Sequence, residues 1–273
     1  MQSNQIASAI LHLKNVASVM PTEQLLIYDL GLNEADLLTL AGYCNHSKCA
    51  IISYDFSQYP SYIMNIDDKT HLFRAIIIKD ALNRCKTILF TENYIRLRGS
   101  SQAFNEIRKR TENKNGVISL AVKKLPVSSS THPKLFEYYN SNADSFLFVR
   151  LVSLDICFFH YSKFLDDKIM LPWLKCVLTQ NCIAPIGASG SISNHCKFNK
   201  KPSYRYSGCH SFEASAFNVV LGLAFNFNEA KYSISDDNLL FYKQTLEESN
   251  KILDNKRRNI SDTTSDHPYS SDE

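Results

Sequence analysis

The 273-residue chain has no apolar run long enough to cross a bilayer. Its longest apolar region, FLFVRLVSLDICFFHY (146–161), is interrupted by Arg150 and Asp155. The N-terminal MQSNQIASAILHLKNVASVM lacks the basic start and long apolar middle of a signal peptide, and reads as an amphipathic helix over 1–20. Charge of one sign is also scarce. A net charge of +3 leaves room for a local basic patch but carries no whole-chain signature of nucleic-acid binding, so no nucleic-acid partner is expected. The chain contains no P-loop and no Gly-x-Gly-x-x-Gly. It also lacks a Gly-x-Ser-x-Gly elbow and a His-Glu-x-x-His pair. These absences remove the commonest ATPase, dehydrogenase, hydrolase and zinc-protease readings. No internal repeat is visible.

What is present is an ordinary globular composition, 44% apolar, 11% aromatic and 21% charged, long enough for one large domain or two small ones. Eight cysteines are many for a cytosolic enzyme of this size. None forms a CxxC pair, which disfavours a zinc site. The spacings 44/49, 176/182 and 196/209 suit local disulfide loops. Cys85 and Cys157 lie in apolar stretches and read as small buried hydrophobes. Two Asn-x-Ser triplets, at Asn45 and Asn259, are compatible with a lumenal location.

Apolar segments alternate with helical patterns. QLLIYDL (24–30), CAIISYDF (49–56) and TILF (87–90) read as strands. Helices are expected from Asn33, a capping residue with Asp36 favourable to the dipole, and over Thr70–Arg84. Further helices are expected over 103–114, 135–141, 169–181 and 211–227, and a strand over 117–122. The alternation predicts a single three-layer α/β/α domain over 21–245 with a mostly parallel central sheet. In such a sheet Asp29, Asp55 and Glu92 lie near one edge, at the carboxyl ends of successive strands, where ligands bind. The tail, 246–273, turns polar and charged and reads as disordered.

Three groups could carry chemistry. One is the acidic strand ends. The second is the loop 184–211, where Lys197, Lys200, Lys201 and Arg205 interleave with Phe198, Tyr204 and Tyr206. Such a loop can neutralise a diphosphate and stack on a base or sugar. The third is GCHSFEASAFN (208–218), with His210 and Glu213 three residues apart at the start of an apolar helix. Each has a plainer reading: Asp29 and Asp55 as turn caps, the basic loop as a solvated face, Glu213 as a helix N-terminal charge, and His210 as a structural hydrogen-bonding group.

Several blocks carry a resemblance: IYDLGL (27–32), YCN (43–45), FSQYPSY (56–62), AIIIKDAL (75–82), HPKLFEYYN (132–140), IMLPWLKCVL (169–178), CIAPIGA (182–188) and KKPSYRYSGCHSFEASAFNVVLGL (200–223). Over about residues 20–243 the chain resembles an uncharacterised glycosyltransferase-like family widespread in invertebrates, itself similar to nucleotide-sugar transferases of the GT-A fold. The resemblance implies a Rossmann-related α/β fold, hexosyltransferase-like transfer from a nucleotide sugar to a glycan or protein acceptor, and a Golgi or secretory-lumen location. Family members are usually type II membrane proteins, so membrane association would need an anchor this chain does not show. In that fold the strand matching 87–90 ends in an Asp-x-Asp-like motif that holds a divalent metal, usually manganese. Here the position reads Thr91-Glu92-Asn93, which leaves Glu92 and Asn93 as metal ligands with one carboxylate at most. Lys200, Lys201, Arg205 and Arg96 would then stabilise the leaving diphosphate in place of a metal. The resemblance places Asp29 and Asp55 near the nucleoside, Glu213 near the acceptor as a general base or orienting acceptor, and His210 at the diphosphate. Two other readings compete: a catalytically silent binding or scaffold domain on the same fold, and a cytosolic nucleotide-binding protein without transfer activity.

Overall fold

A computed structural model describes residues 5–44, 48–64, 70–113, 116–190, 197, 201–234 and 240–264. The first helices and strands are α1 (Ile6–Val19), β1 (Leu25–Asp29), α2 (Glu34–Tyr43), β2 (Cys49–Ser53), α3 (Phe73–Arg84), β3 (Thr87–Thr91) and β4 (Ile95–Leu97). Then follow α4 (Ser101–Asn113), β5 (Val117–Pro126), α5 (Pro133–Tyr138), β6 (Arg150–His160) and α6 (Lys163–Leu165). After one π-helical turn, Asp166–Met170, come α7 (Leu171–Val177), α8 (Gln180–Ile183), α9 (Phe212–Ala224), β7 (Phe241–Lys243) and α10 (Leu246–Thr264). The chain divides into two compact units. The smaller comprises Met1–Tyr54, Glu92–Ser101 and Asn238–Glu273, and the larger Asp55–Thr91 and Gln102–Asp237.

The larger unit is organised by β6. From Leu151 to Phe158 every residue is buried, all of them apolar or small except Asp155, so the strand is covered on two sides. It lies between β3 and β5, antiparallel to both, in the order β3-β6-β5. The ladder to β5 is irregular between Ser119 and Ala121 and again between Val122 and Pro126. Gly116 opens β5 with φ of +74°, and a Cβ there would stand 2.9 Å from the carbonyl oxygen of His160. α9 packs along β6, with Phe217 against Phe159 and against Trp173 of α7 at ring separations of 6.1 and 4.7 Å. Asn218 locks that packing. Its Oδ1 accepts from Val152 N at 2.8 Å and its Nδ2 donates to Val152 O at 2.9 Å, so one side chain replaces a neighbouring strand's backbone.

Gly222, also on α9, leaves room for the buried ring of Phe146. A Cβ at 222 would fall 2.3 Å from Phe146 Cε1, and that ring is already held by Phe136 and Phe227. Gly222→Ala is therefore expected to lower stability by about 2 kcal/mol through overpacking, even though alanine is the better helix former by about 1 kcal/mol. The urea midpoint measures this. A midpoint at or above wild type would show that the Phe146 cluster yields.

The smaller unit holds two short sheets, a parallel pair β1–β2 and an antiparallel pair β4–β7. Its core joins Ala7, Ala9, Ile10 and Leu13 of α1 to Ile27, Leu40 and Leu253, with the Cys44–Cys49 disulfide inside the same cluster. Asn33 caps α2, accepting from Asp36 N at 2.8 Å, as the sequence predicts.

The fold is mixed α/β, but three expectations change. The mostly parallel central sheet is not found: of the described strands only β1 and β2 pair with each other in parallel, and β3 belongs to an antiparallel sheet. Alternation along the chain gives the order of elements. It does not say which strands meet, and β3 finds its partner in β6, far along the sequence. The shared acidic edge goes with it, because β1 and β2 form one sheet and β3 another. Second, the expected single domain over 21–245 is two compact units, and the 1–20 helix is a core element of the smaller one. Third, the expected disordered tail is helical over Leu246–Thr264, with Leu253 of α10 buried in that core. The remainder of the tail lies outside the described residues.

Candidate functional site

Glu213 and the acidic strand ends have different surroundings. Glu213 occupies the first turn of α9 and is buried. Arg74 Nη1, from α3, donates to its Oε1 at 2.8 Å, and the two side chains are only 7% and 4% exposed. The backbone oxygen of Glu213 accepts from Trp173 Nε1 at 3.0 Å. The start of the helix is fixed further by Ser211 N donating to Ser130 O at 3.0 Å, and by Ser215 Oγ donating to Ser130 O at 2.8 Å. The first residue of the helix, Phe212, has φ of +40°, an unusual conformation for a bulky residue, with its ring 5.1 Å from that of His210.

His210 is equally enclosed. His132 N donates to its Nδ1 at 3.2 Å, so Nε2 carries the proton and donates to Ile183 O at 3.0 Å. Burial pushes its pKa down to about 3, and His132 nearby adds to the effect, so the ring is neutral at physiological pH. Both nitrogens serve the backbone. This geometry gives His210 the work of tying loop 184–211 to the chain at 132 and 183.

In the smaller unit Arg96 is 3% exposed, and its guanidinium is saturated. Nε donates to Gln244 Oε1, Nη1 to the carbonyls of Asn93 and Ile95, and Nη2 to Ser8 O, Ser8 Oγ and Ser249 Oγ, at 2.7–3.4 Å. Burial lowers its pKa to about 10. Its donors therefore tie α1, the 93–95 turn and the start of α10 together, and a bound diphosphate would have to displace them. His12 sits in the same region, its Nδ1 donating to Ile95 O at 2.7 Å. Burial, with Arg96 close by, lowers its pKa to about 4.

The acidic strand ends act locally. Asp29 Oδ1 accepts from Gly31 N and Leu32 N at 2.9 and 2.8 Å, and its Oδ2 accepts from Ser53 Oγ at 3.2 Å. Asp55 Oδ1 accepts from Ser57 N at 2.8 Å, and that bond holds its pKa below the ordinary carboxylate value. Both close turns, the plainer of their two readings. Glu92 is half-buried, and its carbonyl accepts from Ile95 N at 3.0 Å in the turn between β3 and β4. Asn93 Nδ2 donates to Gln5 Oε1 at 2.8 Å, while its buried Oδ1 has no hydrogen-bond partner among the described residues. One carboxylate and one amide oxygen fall short of the six oxygens a hard divalent cation takes. Among the described residues no three His, Cys, Asp or Glu side chains gather into a metal-binding group.

The basic loop is the one expected element that presents free charge. Lys201 and Arg205 are exposed, and neither side chain makes an ion pair or hydrogen bond among the described residues. Lys200 lies outside the described residues. The cysteines follow their spacing: Cys44–Cys49 and Cys176–Cys182 are disulfides, while Cys85 and Cys157 are free, Cys157 being buried. Cys209 is disulfide-bonded, but the 196/209 pairing itself lies outside the described residues. Two disulfides fit a secreted or lumenal protein. No described helix is long and apolar enough to cross a membrane.

Sequence reasoning passed over Arg74, Trp173 and Asn218. The available signal was a cation in the apolar stretch LFRAIII and an anion in the apolar helix after 211, two charges that can be buried only together. No protein-family model, curated protein or solved structure matches the chain.

Proposed function

We propose that the chain is a disulfide-bonded, glycosyltransferase-like domain of the secretory or Golgi lumen that binds a nucleotide sugar without transferring it. The observation that supports silence is the buried Arg74–Glu213 ion pair. The carboxylate assigned to the acceptor by resemblance is engaged by a guanidinium, which removes it as a free base. Retained binding is supported by the free cations Lys201 and Arg205 in loop 184–211. The competing reading, a working hexosyltransferase acting on a glycan or protein acceptor, draws on the same cations, which could also stabilise a departing diphosphate.

A thermal-shift panel of uridine- and guanosine-diphosphate sugars, with and without manganese, tests the proposal. At saturation one nucleotide sugar is expected to raise the melting temperature by several degrees. The shift should be the same without metal and in Glu92→Ala. No nucleoside diphosphate should be released when acceptor glycans are added. Release of diphosphate would establish transfer and overturn silence. A panel without any shift would overturn binding and leave a scaffold domain.

A further inference from the structure

Phe148 is 87% exposed, the most exposed large apolar side chain described. It is nevertheless not isolated. Its ring lies 6.4 Å from that of Tyr204, at 63°. An edge-to-face contact covers at most one face of a ring, and the exposure of Phe148 leaves flat apolar surface open to a ligand. Both rings stand on fixed backbone. The buried turn Val127–Ser130 receives the chain from each side: Val127 N donates to Val149 O at 2.8 Å, Ser128 Oγ to Tyr204 O at 2.8 Å, and Ser207 N to Ser129 O at 2.9 Å. Arg205 N closes a turn on Pro202 O at 3.1 Å, so Tyr204 lies within that turn, Arg205 ends it and Lys201 directly precedes it in the chain. Two aromatic rings and two uncompensated cations thus share one pinned corner of the larger unit.

Extending the nucleotide-binding reading above, on which it rests, we infer that this corner is the nucleotide site: the base stacks on Phe148 and Tyr204, and the diphosphate is taken by Lys201 and Arg205. Charge complementarity selects the occupant. A neutral glycan would use the rings and leave both cations unpaired, and an inorganic anion would use the cations and leave Phe148 in water. A nucleoside diphosphate satisfies both, through stacking and charge-assisted hydrogen bonds. The acidic strand ends expected to hold the nucleoside are not needed for this site.

The test is calorimetric titration of the full chain with uridine and guanosine diphosphates, with uridine and inorganic pyrophosphate as partial ligands. Phe148→Ala is expected to weaken nucleoside diphosphate and uridine roughly tenfold while leaving pyrophosphate unchanged. Arg205→Ala should weaken the diphosphates and pyrophosphate and spare uridine. Because both side chains are exposed, the melting temperatures of the free variants should match wild type. If wild type binds a nucleoside diphosphate and both variants bind it equally well, this corner is not the site, although the nucleotide-binding reading survives. If wild type binds neither diphosphate, both fall. If a sulfated oligosaccharide binds instead and shows the same variant losses, the surface stands but its proposed occupant is overturned.

Discussion

Glu213→Gln is expected to unfold the larger unit more readily by about 3–5 kcal/mol, because it leaves Arg74 charged and buried without its carboxylate. For a unit of this size the loss corresponds to a melting temperature lower by roughly 10 °C. Arg74→Met should cost a similar amount, since it strands Glu213 instead. The double variant Arg74→Met with Glu213→Leu should recover most of either loss, because two apolar side chains of similar volume can replace a buried pair without stranding a charge. Additive losses in the double variant would show that each residue is held by other partners and that the pair is not the unit of stability. There is a consequence for function. Any activity lost in Glu213→Ala reports on folding until the fold has been measured, so that variant alone cannot identify a catalytic base.

Acidification should destabilise both units between neutral pH and pH 5. His12 and His210 have folded-state pKa values lowered by burial to about 4 and about 3, from an ordinary 6.5. The unfolded chain therefore binds protons that the folded chain refuses. Stability is at its full value above the ordinary histidine pKa and declines as pH falls through 6.5 toward the folded-state values. By pH 5 each histidine contributes a loss of about 2 kcal/mol. His12 acts on the smaller unit and His210 on the larger one. Urea midpoints followed from pH 7 to pH 5 should drop, and His210→Gln should flatten the drop in the larger unit even if it costs stability at pH 7. A midpoint unchanged across that range would mean that the rings accept protons in place.

Much of the local structure was legible before the fold was known. Asn33 as a cap, the strands through Tyr28, Ile51 and Leu89, Pro172 in the first turn of a helix, and two short disulfide loops all follow from nearest-neighbour chemistry. Pairing was not legible, because β3 and β6 meet only through long-range burial and their ladder leaves no mark in either segment alone. The site was half legible. Glu213, His210 and Arg96 stand out as polar residues beside apolar ones, and that pattern has two causes, a working site or an internal tie. Hydrogen-bond partners decide between them. Arg96 has a partner for every donor and His210 for both nitrogens, whereas the side chains of Lys201 and Arg205 have none among the described residues. Phe148 escaped because nothing in NADSFLFVRL distinguishes an exposed phenylalanine from the buried Phe146 two residues earlier.

The smaller unit is assembled from three separated stretches of chain, the last beginning at Asn238. During synthesis its first two stretches leave the ribosome before the partner strand β7 and the helix that carries Leu253 exist. At ordinary elongation rates the apolar face of α1 must wait roughly ten to fifty seconds for them. Over that interval the nascent chain displays Ile10 and Leu13 to any chaperone within reach.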